Sequence, residues 1–118
     1  MKIAFTSKGV EWDSQMDSRF GRTEFIIVYD EEKDELTHMD NSAVAQEAHG
    51  AGPQTAKVLF DMGAKVLITG NGPGGNAATI LEKTGITSYV GAGEMTVKEA
   101  YESYKKGDLK KLWKLEKK

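Results

Sequence analysis

A strand, a glycine-rich loop, a helix and a second strand are predicted to follow one another between residues 66 and 90. Residues 66–69 (Val-Leu-Ile-Thr) form a short apolar run that ends at a glycine, which is typical of a strand buried on both faces of a sheet. Four glycines lie within residues 70–75, where they permit backbone angles and close approaches that other residues do not. A helix over residues 76–84 and a strand over residues 86–90 complete the unit. Two strands joined by such a helix pair in parallel through a right-handed crossover, so the chain is predicted to be of the α/β class.

Three further strands are predicted ahead of this unit. Residues 2–6 alternate loosely between apolar and polar and predict the first, central strand. Residues 24–30 and 35–41 predict two more strands, joined by a charged turn and therefore paired antiparallel. The connection from the first strand to the second, over residues 7–22, is unusually long for a compact domain, and loops of that length are often functional.

Two more helices are predicted from their end signals. Residues 54–62 follow Pro53, which suits the first position of a helix, and Gly63 is placed to end it. Thr96 and Glu99 are three residues apart, as in a capping box, and predict the start of a last helix. After that helix, an extra amphipathic turn is predicted from Leu109, Leu112 and Trp113.

The predicted order of elements is β-β-β-α-β-α-β-α. This order gives an α/β domain of three layers, with a mixed five-stranded sheet made of an antiparallel hairpin and parallel strands, and helices packed on it. It is the architecture of the ribonuclease H-like group, and residues 1–118 are expected to form a single domain.

Composition removes several classes of chemistry. The chain has no cysteine, so it can form no disulfide, use no thiolate to bind zinc or iron, and use no cysteine nucleophile. No signal-peptide pattern opens the sequence and no apolar run approaches the length of a membrane helix, so a cytoplasmic protein without membrane contact is expected. Residues 105–118 hold seven lysines against two acidic residues, although the net charge is -2. They predict a basic helix end or tail that is either solvated or in contact with nucleic acid or an acidic partner.

The glycine-rich loop formally matches the dinucleotide fingerprint, but its context does not. No acidic residue follows the next strand, which ends at Gly91, and the chain is too short for two nucleotide-binding halves. The Lys-Ser/Thr ending of a phosphate-binding P-loop is also missing, because Asn76 and Ala77 follow Gly75. A more general interpretation remains, in which free N–H groups at a helix start attract an anionic ligand. The alternative is that these glycines only make a tight turn.

Other candidate side chains lie in the loops. Arg19 and Arg22 flank Phe20 and Gly21, and two arginines in that arrangement suit a grip on phosphate or carboxylate, although surface ion pairs would explain them equally. His49, in a second glycine-containing loop, is a candidate metal ligand, although hydrogen bonding at the surface would also explain it. The first strand lacks the carboxylate that a two-metal nuclease of this fold requires, so nuclease activity is not expected and nucleic acid is an unlikely partner.

Taken together, these segments resemble the dinitrogenase iron-molybdenum cofactor-binding family, which includes the NifX and NifY proteins and the C-terminal part of NifB. The matching segments are Ser-Arg-Phe-Gly-Arg at 18–22, His-Gly-Ala-Gly-Pro at 49–53, Gly-Asn-Gly-Pro-Gly at 70–74, Tyr-Val-Gly-Ala-Gly at 89–93 and Thr-Val-Lys-Glu-Ala at 96–100. The resemblance implies a ribonuclease H-like fold without nuclease activity. It also implies a role in binding or carrying an iron-sulfur or iron-molybdenum cluster precursor, with a cluster-donating or cluster-accepting protein as partner.

Without cysteine, any such cluster would be held by His49, by the arginines as counter-charges and by backbone N–H groups. The predicted cofactor-binding residues are Arg19, Phe20, Gly21, Arg22, Gly70, Asn71, Gly72, Gly74, Gly75, Gly91 and Gly93. The leading hypothesis is a non-catalytic binding module for an anionic metal cluster. The alternatives are a binding module for a phosphate-bearing small molecule and a ribonuclease H-like enzyme acting on nucleic acid.

Overall fold

The computed structural model describes residues 1–46 and 50–112. Within these residues the strands are β1 (Lys2–Ser7), β2 (Phe25–Asp30), β3 (Glu35–Asp40), β4 (Val66–Ile68), β5 (Thr87–Val90) and β6 (Lys110–Lys111). The helices are α1 (Ser42–Ala45), α2 (Ala51–Asp61), α3 (Gly75–Lys83) and α4 (Val97–Lys106). The strands form one mixed sheet in the order β3-β2-β1-β4-β5-β6.

The centre of the sheet has the pairing that the sequence predicts. β1 pairs antiparallel with β2, which pairs antiparallel with β3, whereas β1, β4 and β5 run parallel. Phe5 of β1 is opposite Ile27 of β2 on one side and Ile68 of β4 on the other. The prediction of an α/β domain with an antiparallel hairpin and two crossover units is therefore confirmed. The ribonuclease H-like name for this architecture stays a prediction.

The predicted number of five strands is wrong, because Lys110–Lys111 adds a sixth strand where an extra helical turn was expected. Gly107 adopts a left-handed conformation that ends α4, and the next residues extend along the outer edge of β5. Val90 is opposite Lys110, and the N–H of Leu112 donates to the carbonyl of Ser88 at 2.8 Å. Pairing with an open strand edge satisfies backbone groups that a short isolated turn would leave to water. Trp113 lies outside the described residues.

The sheet is covered on both faces, so the domain has three layers. Alternate residues of the central strands, such as Ala4 and Leu67, pack against α2 and α3. Their neighbours, such as Ile3 and Ile68, face α4 on the opposite side. Strands buried on both faces are expected to be continuously apolar, as β4 and most of β2 are, whereas β1 is apolar from Ile3 to Phe5.

Helix starts differ in part from the predictions. The capping box is confirmed, since the Thr96 hydroxyl accepts from the Glu99 N–H and the Glu99 carboxylate accepts from the Thr96 N–H. α2 begins at Ala51, so Pro53 is its third residue rather than its first. The first turn of a helix needs no internal N–H donors, which is why proline is accepted at the third position as well. Among the described residues, no helix has the length and apolar character needed to span a membrane.

Candidate functional site

The loops that carry the predicted site residues meet at the carboxyl edge of the parallel strands. The N–H of Asn71, after β4, donates to the carbonyl of Ser18 at 2.8 Å. The N–H of Gly91, after β5, donates to the carbonyl of Gly70 at 2.9 Å. This edge is where ligands bind in open α/β sheets, because the loops diverge there on either side of the sheet.

Two clefts open at this edge, one on each side of the β4–α3 loop. The first, here called the amide cleft, has a volume of about 460 Å³ and is lined by Phe20, Gly21, Arg22, residues 50–53, Gly72, Gly74, Gly75, Asn76 and Ala77. The second, here called the polar cleft, has a volume of about 730 Å³ and is lined by Lys8, Gln15, Met16, Ser18, Gly70, Asn71, Gly91, Gly93 and Glu94. The predicted site residues thus fall into two groups rather than one pocket, and Arg19 lines neither cleft.

Two helix N-termini face the amide cleft. α2 begins after Gly50 and α3 after Gly74, and neither capping residue has a side-chain hydrogen bond to its helix. The two first turns lie against each other, since a Cβ placed on Gly52 would be 3.3 Å from the Cβ of Ala77. α4, which lies on the opposite face of the sheet, is capped by its own Thr96. Uncapped first turns present N–H donors and the positive end of the helix dipole, so the amide cleft is suited to a negative charge.

The glycines in this region differ in whether the fold requires them. A Cβ on Gly21 would lie 2.7 Å from the backbone nitrogen of Gly52, so glycine is needed for the loop to pass α2. Gly72 and Gly91 have positive φ angles of 94° and 99°, which favour glycine for conformational reasons. Gly74 and Gly75 have neither constraint: their φ angles are not positive, and no atom lies within 4 Å of a Cβ built on either residue. The fold itself therefore does not require glycine at these two positions.

The polar cleft has a packing explanation for its glycines. A Cβ on Gly70 would lie 2.6 Å from the Cα of Ser18, and one on Gly93 would lie 3.1 Å from the Cβ of Ser18. These glycines let three loops pack closely at the carboxyl edge. The sequence could not distinguish them from Gly74 and Gly75, because the distinction depends on which segments meet in space.

Arg19 and Arg22 have different surroundings. The Arg19 guanidinium donates through Nε and Nη2 to the two carboxylate oxygens of Asp17, both at 3.0 Å, and its side chain is 53% exposed. Nη1 of Arg22 donates to the carbonyl of Ala45 at 2.6 Å, and Arg22 lines the amide cleft. Of the two arginines predicted to grip an anion together, the structure brings only Arg22 to the cleft.

Asp17 is a buried residue that the sequence interpretation missed. Its carboxylate also accepts from the backbone N–H of Arg19 at 3.0 Å and of Glu24 at 3.3 Å. Burial would raise the pKa of Asp17, but the hydrogen bonds from Arg19, its positive charge and the Glu24 N–H outweigh burial and lower the pKa. An acidic residue two positions before an arginine is the sequence signal of such a local turn. Asp17 thereby fixes the loop that carries Gly21 and Arg22.

A second buried polar group joins the same loop to α2. The side-chain amide of Asn41 donates to the carbonyl of Thr23 and to the hydroxyl of Thr55, both at 3.2 Å. The Thr55 hydroxyl in turn lies 3.4 Å from the carbonyl of Gly21, to which it donates. These bonds position one wall of the amide cleft relative to the helix that forms another wall.

The remaining predicted residues have simpler positions. Phe20 is 4% exposed and belongs to the core beneath α2 and α3, so its ring forms the base of the amide cleft rather than a free contact. His49 lies outside the described residues, and its role as a metal ligand stays a prediction. In residues 1–46 and 50–112, no group of three or more histidine or acidic side chains is arranged to hold a metal ion.

Comparison with known proteins gives a consistent family. The model of the dinitrogenase iron-molybdenum cofactor family matches residues 1–107. The apo form of the orange protein from Desulfovibrio gigas is similar, with 33% identity, a TM-score of 0.89, and coverage of 94% of this chain and 92% of that chain. A Thermotoga protein provisionally assigned as NifB, solved by NMR, has 32% identity, a TM-score of 0.82, and coverage of 99% and 97%. No curated protein matches the sequence.

Proposed function

Because the chain belongs to the dinitrogenase iron-molybdenum cofactor family, we propose that it is a non-catalytic carrier that binds an anionic metal cluster in the amide cleft. The cargo would be an iron-sulfur or iron-molybdenum cofactor or a precursor of one. A protein that donates or accepts the cluster would be its partner. The nuclease alternative has no support in the described residues, where the carboxyl end of β1 carries Thr6 and Ser7 instead of a carboxylate.

The observation that carries this proposal is the pair of uncapped helix N-termini on one cleft. α2 and α3 both direct their first turns at it, and Arg22 adds a positive charge at the rim. A helix N-terminus stabilises a nearby anion by about 0.3–1 kcal/mol when exposed and up to about 2 kcal/mol when partly buried. Two such ends and a guanidinium can therefore hold a multiply charged anion without forming a bond to its metal.

Binding of this kind suits a carrier. With no cysteine in the chain, no thiolate can replace the outer sulfides of a cluster, so the cargo keeps its own ligands. Main-chain N–H donors and Arg22 would recognise charge and shape, and the bound cluster could leave without breaking a metal–protein bond. The polar cleft, on the other side of the β4–α3 loop, would then be free to contribute Asn71 and Gly91 to contact with a partner.

An anaerobic titration tests the proposal. Isolated iron-molybdenum cofactor, and tetrathiomolybdate as a simpler molybdenum-sulfur anion, are added to the full chain while the visible spectrum is recorded. We expect a saturable spectral change at micromolar protein, weakened at least about tenfold by Arg22→Ala, which removes about 1.4 kcal/mol of binding free energy. Lys98→Ala is the matched control, because it also removes one positive charge, but from an exposed residue of α4 that lines neither cleft.

Equal effects of the Arg22 and Lys98 substitutions would contradict the assignment of the amide cleft, and no spectral change with either anion would contradict the carrier function. His49→Ala belongs in the same series, because the sequence predicts His49 as a metal ligand. If His49 coordinates the cluster directly, its loss will change the shape of the spectrum as well as the affinity.

A phosphate-bearing small molecule is the second candidate, and the same N–H groups favour it. Helix N-termini bind phosphate through the donors and dipole that would bind a cluster. A panel of nucleotides and sugar phosphates distinguishes the candidates, because a ligand of the folded state raises the thermal midpoint in proportion to its affinity. A uniform absence of shifts across the panel, beside a spectral change with tetrathiomolybdate, would favour the cluster.

A further inference from the structure

A third concavity lies on the α2/α3 side of the sheet, between α3 and the β5–β6 edge. It has a volume of about 570 Å³, and its lining is mostly apolar, whereas the linings of the amide cleft and the polar cleft are mostly polar. Pro73, Ala78 and Leu112 supply apolar surface at its walls, above the buried side chains of Leu81 and Ile86. We call it the apolar groove.

The apolar groove adjoins the amide cleft at the start of α3. Gly75 lines both. On either side of it the chain alternates between the two: Gly74 lines the amide cleft and Pro73 lines the groove, while Ala77 lines the cleft and Ala78 lines the groove. The first turn of α3 therefore stands between an anion-binding surface and an apolar one.

Gly75 places no side chain between the amide cleft and the apolar groove. A Cβ on Gly75 would meet no atom within 4 Å, and the backbone angle of this residue does not require glycine. Because Cα–Cβ bonds of a helix tilt toward its N-terminus, any larger residue would place its side chain toward the junction. The missing side chain is thus explained if one ligand extends from the cleft into the groove.

We propose that the apolar groove binds the organic part of the same ligand whose anionic group occupies the amide cleft. The ligand class is an anion that carries an aromatic or aliphatic group, such as an organic ligand attached to a cluster or the organic half of a phosphate ester. This inference rests on the proposed anion site of the amide cleft. Binding pockets for small molecules commonly combine a mostly apolar surface with a few placed polar groups.

Three phosphate probes, which differ in the organic group attached to the phosphate, test the inference on the full chain. Inorganic phosphate, methyl phosphate and 1-naphthyl phosphate are titrated by calorimetry. We expect naphthyl phosphate to bind at least about tenfold more tightly than methyl phosphate, because its ring system removes more apolar surface from water. Phosphate and methyl phosphate should bind alike, since neither reaches the groove.

The matched variants are Ala78→Leu, which fills the groove, and Ala43→Leu, which makes the same change on the exposed surface of α1. Ala78→Leu should reduce the affinity for naphthyl phosphate to that for methyl phosphate and leave phosphate affinity within about twofold. Retained phosphate binding also shows that the variant is folded. Ala43→Leu should change neither value.

The outcomes separate this inference from the proposed function. If phosphate and methyl phosphate bind but the naphthyl group adds nothing, or if Ala78→Leu leaves its contribution intact, the groove is not a subsite and the amide cleft stands. If neither phosphate nor methyl phosphate binds while tetrathiomolybdate still does, the amide cleft stands as a cluster site and the inference about the groove is wrong. If tetrathiomolybdate does not bind either, the proposed function fails as well.

Discussion

Replacing Gly75 by alanine should make the protein more stable and a poorer binder of anions. Gly75 is the first residue of α3, in a conformation that alanine adopts without strain, and nothing lies within 4 Å of the added methyl group. A glycine retained at such a position lowers stability, because the unfolded chain loses more conformational freedom on folding. The prediction that a ligand gains from glycine here rests on the absence of a structural reason for it in the fold.

The expected gain in the free energy of unfolding is about 0.4–1 kcal/mol, the range for Gly→Ala at a compatible site. For a chain of 118 residues the entropy of unfolding makes this a rise of about 2 to 4 °C in the thermal midpoint. Because Gly75 lines the amide cleft, the added methyl group should narrow it and keep an anion away from the first N–H groups of α3. Hydrogen bonds weaken steeply beyond their usual length of about 2.9 Å, so we expect a loss of at least about tenfold in tetrathiomolybdate affinity.

Thermal unfolding and an anaerobic spectral titration on the same preparation measure both quantities. Gly107→Ala is the control, because it should change stability in the opposite direction. Gly107 has a φ of 80° and no atom within 4 Å of a built Cβ, and it lines none of the three concavities. It should lose about 1 kcal/mol of stability and keep its affinity. A Gly75→Ala protein that binds the anion as tightly as the parent would refute the argument from open glycines. A less stable one would show that the fold does require glycine here.

Three other substitutions are predicted from the same geometry. Gly74→Asp should cap α3 and stabilise it by a few tenths of a kcal/mol, while the added negative charge abolishes anion binding in the spectral titration. Gly21→Ala should cost about 1–3 kcal/mol in denaturant unfolding and weaken anion binding, because its Cβ would meet the backbone of Gly52 at 2.7 Å; unchanged stability would mean that the loop yields easily. Asp17→Asn should cost about 2–3 kcal/mol at neutral pH, since it weakens the pairing with Arg19. Folding lowers the pKa of Asp17, so its ionised carboxylate stabilises the protein fully above the pKa that Asp17 has in the unfolded chain. This stabilisation is lost as the pH falls through the lower pKa that Asp17 has in the folded protein. The difference in the free energy of unfolding between parent and variant should therefore shrink in acid.

The sequence was sufficient for most of the fold because local patterns and long-range pairing agree. β2 and β4 are apolar runs, and β1 is apolar at its centre, so their burial between helices on both faces of the sheet agrees with the sequence pattern. The capping box at Thr96 was equally readable, because both of its hydrogen bonds are local. β6 could not be predicted, because Leu109 and Leu112 fit a helical spacing. The strand forms because the edge of β5 is open for pairing, which the sequence does not show.

The candidate site was predicted less completely, for the same physical reason. The sequence pattern shows that Arg19 and Arg22 lie on either side of a glycine. It does not show that the guanidinium of Arg19 is paired with the carboxylate of Asp17. It also does not show that the loops after β4 and β5 separate two clefts. Contacts between segments that are distant in the sequence decide which of these residues lies at a cleft.

The contacts and backbone angles of all the glycines show which of them the fold explains. Eleven of the thirteen glycines have either a positive φ or an atom within 4 Å of a built Cβ, so the fold explains them without a ligand. Gly74 and Gly75 are the exceptions, and they adjoin both the uncapped N-terminus of α3 and the junction with the apolar groove. Open space and exposed N–H donors coincide at these two residues, which is the arrangement that a main-chain anion site requires. The carrier function and the groove inference therefore depend on the same small surface, and Gly75→Ala probes it with a single methyl group.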